Sequence, residues 1–110
     1  MPLPKTCYPI NDLSDFRAWM LDHPRPAKLL KEILFRWRVS NMKVRGKPGP
    51  WAVYPSERWA GWSGLTLHQT KRALPLLELD NLILRELHRF AGSEVRAYLQ
   101  PTSITVEFAG

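Results

Sequence analysis

The sequence predicts an α+β fold: a core of three helices with a tight turn between the last two, a C-terminal β-hairpin, and a short extra helix at the N-terminus. Three observations carry this. Ala27, Leu30, Ile33, Leu34 and Trp37 recur at helical spacing. Between Pro55 and Leu74 two helix starts, at Ser56 and Thr66, are separated by Gly64, where a sharp turn needs positive φ. Beyond Asn81 the apolar pattern changes from the helical period to alternation.

Taken in order, residues 1–11 hold three of the ten prolines and read as an irregular arm. Ser14 is expected to cap a short helix over 15–22, with Phe16, Trp19 and Met20 on its apolar side. His23-Pro24-Arg25-Pro26 ends it, and Pro26 suits the first position of a second helix over about 27–39. The loop 41–50 is basic and rich in glycine and proline, and Trp51-Ala52-Val53-Tyr54 reads as a strand. Ser56 and Thr66 then cap the two helices flanking Gly64, a helix-turn-helix arrangement.

On the second of these helices, Thr70, Ala73, Leu74 and Leu77 share one face and His68, Lys71 and Arg72 the other. Pro75 lies in its second half and should kink or loosen the turn. Asp80-Asn81 marks its end, since Asn accepts the left-handed conformation. Strands are expected over 82–90 and 94–100 around Ala91-Gly92-Ser93, with Pro101 ending the pairing. Ile104, Val106 and Phe108 alternate, so 103–110 reads as a tail or edge strand that can also cover the core. The expected organisation is an arm and short helix over 1–25, a main domain over 26–102, and that tail.

Composition narrows the function. With 110 residues the chain suits one domain. No apolar run reaches the roughly 18–20 residues that span a bilayer, so no membrane partner is expected. Met1-Pro2-Leu3-Pro4-Lys5 lacks a secretory leader's apolar stretch, and the lone Cys7 reads as an inert thiol; both fit a cytoplasmic location. The net charge of +6 favours an anionic partner. Residues 1–55 carry ten Lys/Arg against four Asp/Glu, and 56–110 carry six against six. The excess therefore lies in the first half and not in the second helix of the pair flanking Gly64.

The order helix, basic loop, short strand, helix-turn-helix, hairpin resembles a winged helix. It is carried by Ala27-Lys28-Leu29-Leu30 through Phe35-Arg36-Trp37-Arg38, by Gly49-Pro50-Trp51-Ala52-Val53-Tyr54-Pro55-Ser56, and by Gly64-Leu65-Thr66. Thr70-Lys71-Arg72-Ala73-Leu74, Leu77-Glu78 and Asn81-Leu82-Ile83 complete it. More narrowly, it is similar to winged-helix modules of phage and plasmid replication proteins, the O-like and initiator-like group. The likeness covers about residues 26–102 and implies DNA binding, in replication initiation or in transcriptional control of a mobile element.

The expected nucleic-acid contacts follow from position and charge. Lys71 and Arg72 meet phosphates or a guanine edge, and His68 and Gln69, near the helix start, meet base edges. Lys43, Arg45 and Lys47 form a phosphate clamp on the basic loop. Arg89 and Arg96 flank the hairpin tip, where a wing reaches the minor groove. Trp37, Trp51 and Trp59 are expected in the core, and Trp62 partly exposed. Leu67, Leu76 and Leu79 occupy positions where DNA-binding members of the resembled group usually show polar or basic side chains. They define the alternative, a winged-helix adaptor or inhibitor that docks a protein partner or a second copy. His23, His68 and His88 show no metal-ligand spacing, and no nucleophile or phosphate-loop motif is present. Neither a cofactor nor an enzymatic activity is expected.

Overall fold

Helix α2 (Pro24–Arg38) is the spine of the molecule, burying Ala27, Leu29, Leu30, Ile33 and Leu34. The computed structural model describes residues 10–89, 92 and 94–109. Cys7, most of the proline-rich arm, Phe90 at the end of the first expected strand, and Ala91 and Ser93 of the expected turn lie outside them. Around α2 the chain runs α1 (Leu13–Asp22), then β1 (Met42–Lys43), β2 (Pro50–Val53), α3 (Ser56–Ser63) and α4 (Leu67–Leu79). It continues through β3 (Ile83–Arg89) and β4 (Val95–Pro101) to α5 (Ser103–Ala109). The strands form an antiparallel sheet in the order β1-β2-β4-β3. The fold is α+β, and the five helices and four-stranded sheet among the described residues are compatible with a winged helix.

Several element boundaries differ from the expectation, each for a local reason. Asp12, not Ser14, caps α1: its carboxylate accepts from the Asp15 N–H at 2.8 Å. Helix α2 begins at Pro24 rather than at Pro26. Both prolines fall in the first turn, where no carbonyl claims an N–H, and the Ala27 N–H makes the bond to His23 O. Ser56 is already helical, with Pro55 at the cap position and no side-chain capping bond. Helix α4 continues through Pro75, which lies on its exposed side.

Two left-handed residues shape the helix ends. Gly64, at φ 70°, lets the Leu65 N–H reach back to Ala60 O, and Asn81, at φ 61°, lets the Leu82 N–H reach back to Leu77 O. Both are the long reverse bonds that close a helix C-terminus. In this way α3 turns sharply into α4, and α4 into β3.

The main core joins α1, α2, α3, α4 and the inner face of the sheet through residues such as Trp19, Leu29, Ile33, Ala52, Trp59, Leu77 and Leu99. On the outer face Trp51, Val53 and Tyr98 form a second cluster under Val44. Tyr98 and Leu99 are therefore both buried although they point to opposite sides of β4. Pro101 still pairs with Ile83 and is the last residue of β4.

The segment after it is helical, not an edge strand. Thr102 accepts the Val106 N–H on its carbonyl, while its hydroxyl donates to Asn81 O at 2.8 Å. The buried Thr105 hydroxyl donates to Leu82 O at 2.7 Å. Ile104 and Phe108, four apart, are each half-buried, and Phe108 packs on the core.

Candidate nucleic-acid interface

Helix α4 sorts its residues by face. Thr70, Ala73, Leu74 and Leu77 are buried, and His68, Lys71 and Arg72 are exposed. Its start is fixed by a capping box: Thr66 Oγ1 accepts from the Gln69 N–H at 3.1 Å, and Gln69 Oε1 accepts from the Thr66 N–H at 3.0 Å. The Gln69 carbonyl expected at a base edge is thus engaged with the backbone.

Beside this face, Arg25 and Pro26 at the start of α2 line a shallow groove with His68, Gln69, Arg72 and Leu76. Arg25 was not among the expected contacts. Its placement follows from α2 beginning at Pro24, which swings Arg25 into the first helical turn beside α4. Among the described residues none of Arg25, Lys71 and Arg72 forms a salt bridge, and all three are exposed.

A second basic cluster lies at the sheet. Lys43, Val44 and Arg45 come together with His88, Arg89 and Tyr98 around another groove. The basic loop reaches this place because it folds back across the outer face: Val44 packs on the Trp51 cluster, and the Gln100 amide donates to Pro48 O and Pro50 O at 2.9 and 3.0 Å. Lys43, Arg45 and Arg89 are thereby brought together. His88 joins them, although nothing in its local sequence marks it.

Lys47 and Arg96 are placed differently. The Lys47 ammonium lies 3.2 Å from Glu86 Oε2, and Arg96 Nε donates to Glu94 Oε1 at 2.8 Å. Each of these two cations therefore has a carboxylate beside it. Glu86 also accepts from His88 Nε2 at 2.8 Å. The His88 hydrogen bond first, and then the Lys47 bond, hold the Glu86 carboxyl below its ordinary range, with a smaller opposing contribution from desolvation.

The apolar and aromatic candidates also separate. Leu67 and Leu79, the first and last residues of α4, are 37% and 47% exposed. They stand twelve positions apart, about 18 Å along the axis. Leu76 is half-buried against the core between them. Leu76 and Leu79, three apart, share one side of α4, and Leu67 stands away from them at the other end. Trp19, Trp51 and Trp59 are fully buried and cannot stack on bases. One face of Trp62 is covered by the Arg36 guanidinium at 3.8 Å, and Tyr54 and Trp59 meet it edge-on.

Among the described residues no three His, Cys, Asp or Glu side chains are grouped to hold a metal ion, and no helix is long and apolar enough to cross a membrane. No family model matches the chain, and no curated protein or solved structure matches it either.

Proposed function

We propose that this chain is a winged-helix protein that binds duplex DNA, in replication initiation or transcriptional control of a mobile element. The observation that carries the reading is the division of α4: a buried face that docks it on α2 and α3, and an exposed face bearing His68, Lys71 and Arg72. A helix held in this way after a left-handed turn can present its first two turns to a major groove. The chain order α2, β2, α3, α4, β3, β4, with β2 pairing β4 and β4 pairing β3, supports naming the hairpin a wing.

Lys43, Arg45 and Arg89 supply a second set of phosphate contacts, and Arg25 extends the first. Affinity in this reading comes chiefly from phosphate attraction. Base selection falls to Arg72 and His68, because Gln69 serves the helix cap.

The test is fluorescence polarisation with labelled duplex DNA. Arg72→Ala should weaken binding by about 1–3 kcal/mol. Its melting temperature should stay close to that of the parent, because the side chain is exposed. Absence of saturable duplex binding, or an Arg72→Ala variant that binds like the parent, would overturn the proposal.

A further inference from the structure

A groove of about 650 Å³ lies on the other side of α2, between α1 and α2, with Phe108 of α5 on its wall. Helix α1 turns a complete stripe toward it, with Leu13, Phe16, Arg17, Met20 and Leu21 at helical spacing. Phe16 and Leu34 are buried within it, 4% and 5% exposed. By contrast Leu13, Leu21 and Phe35 are 39%, 82% and 51% exposed. Large apolar side chains exposed together around a concavity mark a contact surface.

The rim is cationic. Arg17, Lys31 and Arg38 are all exposed, and among the described residues no acidic residue lines the groove and none of the three forms a salt bridge.

We infer that this groove receives an acidic amphipathic helix of a partner protein, whose apolar side chains cover Leu21 and Phe35 and whose carboxylates meet Arg17, Lys31 and Arg38. An apolar helix face in a hydrophobic groove is a recurrent mode of peptide recognition, and the charges select the partner's sign. Other occupants fit less well. A second copy related by a two-fold axis would set this cationic rim against an identical cationic rim. The chain's own residues 1–9 carry Lys5 and no acid. Duplex DNA would satisfy the cations but leave Leu21 and Phe35 without an apolar partner.

The inference is tested on the full chain with three labelled helical peptides of about 18 residues. One has leucines on one face and glutamates on the flanks, one has lysines in place of the glutamates, and one is a scramble of the first. The glutamate peptide should bind saturably, at least about tenfold more tightly than the other two, since tenfold needs only about 1.4 kcal/mol. Arg17→Glu combined with Lys31→Glu should reverse the preference toward the lysine peptide, and Phe35→Ser should weaken both. Lys71→Ala with Arg72→Ala should leave peptide binding unchanged, which separates this groove from the proposed DNA surface. If the Arg17/Lys31 double variant loses its melting transition, Lys31→Glu with Arg38→Glu provides the same reversal. The inference is overturned by no saturable binding of the glutamate peptide, by equal binding of the scramble, or by an unreversed preference in a folded variant. Stronger binding to phosphatidylserine vesicles, or self-association that blocks the peptide, would also overturn it and assign the groove to a membrane or to a second copy.

Discussion

The indole Nε1 of Trp19 donates to Asp80 Oδ2 at 2.6 Å, both residues buried, and so ties α1 to the end of α4 across 61 positions of sequence. His23 stacks on the same indole at 4.5 Å between ring centroids. The N-terminal helix is therefore part of the core that holds α4 in place. It is not an appendage. Trp19→Phe keeps most of the buried area but leaves the Asp80 carboxylate without this donor. The expected loss is about 1.5–3 kcal/mol, the range for hydrogen bonds to charged groups. Urea unfolding monitored by circular dichroism checks it, and a loss below about 0.5 kcal/mol would mean that water replaces the indole without cost.

The capping box at the start of α4 gives Gln69 a structural role, and stability can be separated from binding there. Thr66→Ala should cost about 1 kcal/mol of unfolding free energy, and Gln69→Ala a smaller amount in the same direction. Neither should change which base is preferred at any position of a bound duplex. A Gln69→Ala variant of full stability but altered base preference would return Gln69 to the base-reading role that its position first suggests.

Much of this arrangement was legible in the sequence. The face of α4 was, because Thr70, Ala73, Leu74 and Leu77 repeat with the helical period while His68, Lys71 and Arg72 fall opposite them. The left-handed ends of α3 and α4 were as well, since glycine adopts positive φ freely and asparagine more readily than most residues. The pairing of Thr66 with Gln69 was written in the threonine and glutamine three apart, but the helix-turn-helix context drew Gln69 toward DNA instead. Helix α5 was hidden because Ile104, Val106 and Phe108 fit alternation, while Ile104 and Phe108 also fit a helical turn, and seven residues are too few to decide. Contacts between distant segments left no local trace. Trp19 with Asp80, Arg25 beside Arg72, and His88 beside Lys43 and Arg45 all depend on how the elements dock.

Glu86 is the anchor of the basic loop on the hairpin, and its lowered pKa fixes the direction of a pH effect. A carboxyl whose folded pKa is depressed contributes stability above its unfolded value and loses it as pH falls through the folded one. Glu86→Gln should therefore be less stable than the parent at neutral pH. The difference should close on acidification through and below the ordinary carboxylate range. Paired urea titrations from neutral pH to about pH 3 bracket that range. A gap that persists unchanged at the acid end would show that the Glu86 charge is not what holds Lys47 and His88.

The central claim, that the exposed cations of α4 and of the Lys43/Arg45 cluster meet DNA phosphates, is tested most directly by the slope of log affinity for duplex DNA against log salt. Each phosphate contact should contribute about 0.9 to that slope. Lys71→Ala with Arg72→Ala should flatten it by roughly two units, and Lys43→Ala with Arg45→Ala by a similar amount. Lys47→Ala should change it less, because Glu86 already neutralises that ammonium at 3.2 Å. A parent slope near zero, or an unchanged slope in both folded double variants, would contradict the account.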